Sequence, residues 1–270
     1  MIGLFSIITG KRCVPPRPFN RGGEQDAVYI GWSRDGFSFQ RSPVRAEAFL
    51  PMSETYHAWN FQNVQSVGGG FLTTRDQLRF FVGARSGDCS GAATCTDPLH
   101  GRWDGNGTTG SATMRRDGFA SITPATSGAD GVFITPPLLF GNDDSDGKDV
   151  FLFVNLRAPS AGALMSVELL IDGKVSKVSK PVSQVDSTLI KVEWADQSTA
   201  AGATAALLRA WPAASQPQLR FKLHGDASLF SFWLTHDGTC GTSGGPVAAG
   251  GIGFDGAWDR PHGGGSCHVQ

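Results

Sequence analysis

Two stretches, Gly3-Leu-Phe-Ser-Ile-Ile-Thr-Gly-Lys11 and Gln77-Leu-Arg-Phe-Phe-Val-Gly-Ala-Arg85, share an alternation of apolar residues and a small-then-basic ending. A period of two puts one face of each run against a core, which is the mark of a β-strand. Each is followed by a loop rich in Gly, Pro or Cys and then by a strand-like run closing on the same turn: Ser33-Arg-Asp-Gly-Phe37 in the first copy, Arg115-Arg-Asp-Gly-Phe119 in the second. Asp-Gly between strands predicts a tight type I′ hairpin turn, whose two central residues both take positive φ. The second copy also has a strand in front of it, Asn63-Val-Gln-Ser-Val-Gly-Gly-Gly-Phe-Leu-Thr-Thr74. Four antiparallel strands in succession are the repeat of a β-propeller blade. The first copy lacks its leading strand, so the run amounts to about one and three-quarter blades, whereas a ring needs at least four. The expectation is a set of blades incomplete at the N-terminus, with the missing N-terminal blades supplied by an upstream segment or a partner. The run over residues 2–10 would then be an apolar sheet edge.

From about Gly131 the repeat stops and strand-like runs follow one another: Val132 to Leu139, Asp149 to Asn155, Leu164 to Ile171, Leu189 to Trp194, Gln218 to Leu223 and Ser228 to Leu234. Turn signals separate them, notably Asp172-Gly173 and Asp226. Six or more alternating strands in this span predict a two-sheet β-sandwich. Only Ser198 to Trp211, rich in Ala and Leu, suggests a helix, and the Gly-rich stretch from Phe254 to Gln270 reads as a poorly ordered tail. With 36 Gly and 15 Pro in 270 residues the chain is rich in turn formers yet well short of a collagen or linker composition.

Charged residues are 17% of the chain and the net charge is −1, which argues against nucleic acid as the main partner, because phosphate binding needs a concentrated basic face. No apolar run reaches the 18 or so residues that a membrane helix needs, which excludes a membrane partner of that kind. The apolar opening is followed by Lys11 and Arg12 rather than by small residues, so it reads as a strand and not as a signal peptide. Five cysteines, Cys13, Cys89, Cys95, Cys240 and Cys267, show no zinc-finger spacing. Cys89 and Cys95 bracket a short loop suited to a disulfide ring, and Asn106-Gly-Thr108 is a glycosylation sequon. Together they point to a secreted or extracellular protein; free thiols and an unused sequon account for the same residues equally well.

Tyr29-Ile-Gly-Trp-Ser-Arg-Asp-Gly-Phe-Ser-Phe39, Trp59-Asn-Phe-Gln-Asn-Val-Gln-Ser-Val-Gly-Gly-Gly70 and Ala112-Thr-Met-Arg-Arg-Asp-Gly-Phe-Ala-Ser-Ile122 resemble, in that order, the C-terminal blades of five-bladed β-propeller proteins related to glycoside hydrolase family 32. In that family a β-sandwich follows the propeller, and Ser228-Leu-Phe-Ser-Phe-Trp233 with Val247-Ala-Ala-Gly-Gly-Ile-Gly-Phe254 is similar to its final strands. The resemblance implies an all-β chain: partial, C-terminal blades of a five-bladed propeller over residues 1–124, a β-sandwich over 125–254 and the tail over 255–270. It implies a glycosidase-like carbohydrate-active protein that takes carbohydrate as its partner and needs no cofactor. The family's paired carboxylates, which flank the scissile bond, belong to earlier blades. No position of this chain matches their motifs, so no catalytic residue is assigned, and the chain is expected to be inactive on its own. The alternative is a non-catalytic carbohydrate-binding or adhesion module.

In a propeller of this strand order, Lys11 to Asp26, Ser53 to Asn63 and Gly87 to Thr108 gather at one mouth. The middle segment offers an aromatic plate for the C–H face of a sugar and amides for its hydroxyls. Trp59, Asn60, Asn63 and Gln65 are therefore the expected saccharide-binding residues, with His57 and Arg85 beside them. The competing reading packs Trp59 between blades and uses the amides as turn caps. Asp35 and Asp117 belong to Asp-Gly turns, and Glu47 and Glu54 read as solvated loop residues. Gly241-Thr-Ser-Gly-Gly-Pro-Val247 resembles the loop around a chymotrypsin-like nucleophile, but no Ala-Ala-His-Cys-like segment surrounds His57, so Ser243 is read as part of a Gly-rich hairpin loop. His262, Cys267 and His268 lie in the tail, which offers no preorganised geometry, and no metal ligand is assigned.

Overall fold

The computed structural model describes residues 1–9, 25–41, 47–53, 55, 58–61, 63–74, 76–85, 107–138, 149–195, 217–235 and 248–250. Among them the protein is all-β, built from several sheets and without a helix; no helix is long and apolar enough to cross a membrane. The possible helix at 198–211 and the tail lie outside the described residues. Two compact units divide the chain: Met1–Leu72 with Leu78–Met114, and Thr73–Gln77 with Arg115–Gln270.

The first unit contains β1 (Ile2–Thr9) and β2 (Gln25–Trp32), an antiparallel pair with Ile2 opposite Trp32 and Thr9 opposite Gln25. On its other side β2 is bridged at Val28 to Leu50 and at Trp32 to Gln40. β3 (Val64–Thr73), β4 (Gln77–Arg85) and β5 (Gly107–Arg115) form a second sheet in that order. Its central strand alternates strictly, with Leu78, Phe80, Val82 and Ala84 buried between exposed neighbours, as its sequence period requires. Val28, Val64 and Val82 meet in one apolar cluster, with Leu4, Leu50 and Met52 packed against it.

The second unit contains two sheets. One has the order β10-β8-β12-β6, with β9 also paired to β8, from β6 (Asp130–Ile134), β8 (Leu164–Ile171), β9 (Lys174–Val178), β10 (Val182–Ser183) and β12 (Gln218–His224). The other is β11-β7-β13-β14, from β7 (Phe151–Ala158), β11 (Val185–Lys191), β13 (Ser228–Thr235) and β14 (Ala248–Gly250). Both contribute to one core: Met165, Val167, Leu169, Leu219, Phe221 and Leu223 from the first, Leu152, Val154, Leu156, Leu229, Phe232 and Leu234 from the second. β9 and β10 have no strand signal in the sequence; β9 is short and largely exposed, held as a strand by its register on β8.

The three Asp-Gly turns at 35–36, 117–118 and 172–173 take three different conformations. At Asp172-Gly173 both residues take positive φ, +49° and +77°, and the pairing of Ile171 with Lys174 closes a two-residue hairpin of the type I′ kind. The two repeat-like turns differ from that expectation, since positive φ falls only on Gly36 (+82°) in the first and only on Asp117 (+56°) in the second. In the first, Asp35 Oδ1 accepts hydrogen bonds from the backbone N–H groups of Phe37 and Ser38 and from Ser33 Oγ, each at 2.8 Å. Those donors, Ser38 and Phe37 foremost, hold the Asp35 carboxyl well below the usual carboxylate range. The side chain has taken over the closing role that backbone φ plays in a hairpin.

Candidate functional site

Ahead of β3, Ala58 N donates to Thr55 O and Phe61 N to Ala58 O, both at 3.1 Å. A bridge between Ser53 and Phe61 closes the base of this loop, and Asn60 Nδ2 donates to Pro51 O at 3.1 Å. The Asn60 amide therefore serves loop closure.

Trp59 rides at the tip. Its carbonyl accepts a hydrogen bond from Thr108 Oγ1 at 2.6 Å, and the six-membered part of its ring lies against Gly110 of β5, where any Cβ would collide with Cη2 and Cζ3. Glycine at position 110 thus makes the shelf on which the indole rests. The residue remains 43% exposed, so the ring is supported from the strand side and keeps solvent-accessible surface for a ligand. The sequence marks Thr108 only as the end of a sequon and of a loop, and does not mark Gly110, for which a glycine inside a strand-like run is the available signal.

The remaining expected residues cluster at neighbouring strand ends. Asn63 immediately precedes β3 and Gln65 is its second residue, half-buried. Thr74 N donates to Gln77 O across the short β3–β4 connection, and this hairpin brings Arg85, at the end of β4, alongside the start of β3. Asp26, at the start of β2, forms a parallel bridge with Asn63 and accepts a hydrogen bond from Ser6 Oγ at 2.6 Å. The starts of β2, β3 and β5 and the end of β4 are therefore the elements that place these side chains. Asn63 is buried, 7% exposed, so its amide does not lie open to solvent as the Trp59 ring does. His57, Glu54, Cys89, Cys95, Asn106, Ser243, His262, Cys267 and His268 lie outside the described residues, and Glu47 is an exposed loop residue.

A second concentration of polar groups lies within the other unit. Arg115 donates through Nε to Asn155 Oδ1 at 2.5 Å and through Nη2 to Leu156 O at 3.1 Å, pairs with Asp186, and sets its guanidinium 4.8 Å from the Phe230 ring centroid. Asn155 Nδ2 returns a hydrogen bond to Arg116 O at 2.6 Å, and Ser231 Oγ donates to Asp117 Oδ2 at 2.7 Å. Burial pushes the Asp117 carboxyl above its ordinary value, against the Ser231 hydrogen bond and the Arg116 charge. A raised folded-state value means the folded protein binds this proton more tightly than the unfolded chain. Stability from this group therefore falls as pH rises from the unfolded value, about 4, through the folded one. Asp117→Asn keeps a residue tolerant of positive φ and an acceptor for Ser231 while removing the buried charge. Its melting temperature should exceed that of the native chain by a few degrees at pH 7 and converge with it near pH 3. A variant less stable than the native chain at pH 7 would contradict this account.

Comparison with protein-family models, with curated protein sequences and with solved structures returned no match. Among the described residues no group of three His, Cys, Asp or Glu side chains gathers as a metal cluster would.

Proposed function

We propose that this chain is a carbohydrate-active protein of the glycoside hydrolase family 32 type, and that its own part is to hold a saccharide on the Trp59 surface. In this reading residues 1–124 are blades of a five-bladed propeller, residues 125–254 are a β-sandwich, and the protein works outside the cell. The observation that carries the proposal is the indole of Trp59, laid across Gly110, anchored through its own carbonyl and still exposed. A supported aromatic ring gives a sugar's C–H face a large apolar contact with little ordering cost, and the amide of Gln65 and the guanidinium of Arg85 supply groups for its hydroxyls. The blade assignment is supported by the succession of β3, β4 and β5 in one sheet, and the sandwich assignment by the core shared between the two sheets of the second unit.

A glycan array followed by calorimetry on the best hits tests the proposal. Trp59→Ala should weaken saccharide binding at least about tenfold, the loss of roughly 1.4 kcal/mol or more, while Phe37→Ala, which removes another exposed ring of the same unit, should leave it unchanged. Silence of the native chain across the array, or equal binding by Trp59→Ala, would overturn it. The non-catalytic module and the glycosidase-like protein differ in whether fructosides or other glycosides are hydrolysed as well as bound.

A further inference from the structure

We propose that Asp26, Asn63 and Ser6 form an oxygen-lined site for a hard divalent cation of the calcium type. Asp26 is only 3% exposed, yet among the described residues its carboxylate receives one side-chain hydrogen bond, from Ser6 Oγ, and no Lys, Arg or His pairs with it. Beside it Asn63, bridged to Asp26 in parallel, is 7% exposed and its Oδ1 accepts no hydrogen bond. Bridge partners put their side chains on the same face of a sheet, so the Asp26 and Asn63 side chains are neighbours.

Buried carboxylates are paired, well hydrogen-bonded or metal-bound, and buried amide oxygens have partners, because each otherwise forfeits its hydration without return. Here two electron-rich side chains adjoin, and the one hydroxyl donor seen among the described residues serves Asp26. A carboxylate, an amide carbonyl and a hydroxyl are a ligand set of oxygen alone, which suits calcium and offers nothing to a metal that prefers nitrogen or sulfur. Ser6 gives its proton to Asp26 and keeps its lone pairs for the ion. A cation bound there would tie β1, the start of β2 and the entry to β3 together. With one carboxylate the dissociation constant should fall at about 10⁻⁴ to 10⁻³ M, and magnesium, which demands a near-ideal octahedron, should bind more weakly.

The test uses the full chain, freed of metal with chelator and titrated with calcium or magnesium chloride under thermal unfolding and calorimetry. About 10 mM calcium should raise the melting temperature of the native chain by about 3–10 °C. Asn63→Leu replaces the unpartnered amide by an apolar group of similar volume, so it should fold at least as stably without calcium yet bind the ion at least about tenfold more weakly. Asp26→Asn should lose the calcium response as well. Absence of any calcium effect on the native chain, or an undiminished effect in Asn63→Leu, would overturn the site; should Asp26→Asn fail to fold, Asn63→Leu decides alone.

Discussion

Phe221→Ala should be the most damaging single change in this protein, costing about 3–5 kcal/mol. Phe221 is completely buried on β12, stacked on Phe133 of β6 at 5.9 Å and tilted against Phe232 of β13 at 5.0 Å. Phe133 belongs to its own sheet and Phe232 to the opposite one, so truncation opens a cavity where the two sheets of the unit meet. Neighbours anchored by ladder hydrogen bonds cannot collapse into that space, and the aromatic pair contributions vanish with the ring. Against a typical total of 5–15 kcal/mol such a loss leaves the unit marginal. Chemical denaturation should show a lower midpoint with an unchanged slope, and the melting temperature should fall by about 6–20 °C. Phe221→Leu, which retains most of the volume, should cost less than about half as much. A loss below about 1 kcal/mol for Phe221→Ala would mean that the two sheets do not depend on this contact.

Arg115→Ala should rank second, at about 2–4 kcal/mol. The ion pair with Asp186 is a minor part of that, because Asp186 is half exposed and water screens the attraction. The larger part comes from Asn155, which is 1% exposed: without the guanidinium its Oδ1 loses the Arg115 donor, and the carbonyl of Leu156 loses one hydrogen bond. Buried acceptors stranded in this way cost more than the hydrogen bonds contributed while made. Asn155 also holds Arg116 O, so the loss spreads to the turn that carries Asp117. Arg115→Lys keeps the charge but not the planar fork, and should recover less than half of the stability. Urea unfolding of the three proteins reads the difference directly; variants within about 0.5 kcal/mol of the native chain would remove Arg115 from the account.

Some elements were legible from local pattern. The pattern of Gln77–Arg85 and of Leu164–Ile171 predicts strands with the boundaries they have, because a long run of alternating or β-branched residues leaves the backbone no better way to bury its apolar side. β9 was not legible, since Lys174-Val-Ser-Lys-Val178 is polar and exposed and becomes a strand only by lying on the edge of β8. The Asp-Gly turns show the same limit. Of the turns at Asp35-Gly36, Asp117-Gly118 and Asp172-Gly173, the hairpin form arises only at the last, where the flanking residues pair directly with each other. At Asp35 neighbouring donors capture the carboxylate, and at Asp117 a serine 114 residues away does so.

The candidate site divides in the same way. Trp59, Asn60, Asn63 and Gln65 sit within seven residues of one another, so their chemistry could be read along the chain. That Asn60 closes its own loop, that Asn63 is buried beside Asp26, and that Gly110 carries the indole are facts of pairing between distant segments. By itself the sequence determined that this is an all-β protein, because the apolar period is a property of each short run taken alone. The tertiary structure decided which polar groups are shielded, which are partnered and which face solvent, because burial and hydrogen bonding depend on chains that meet across tens of residues, where no local period reaches.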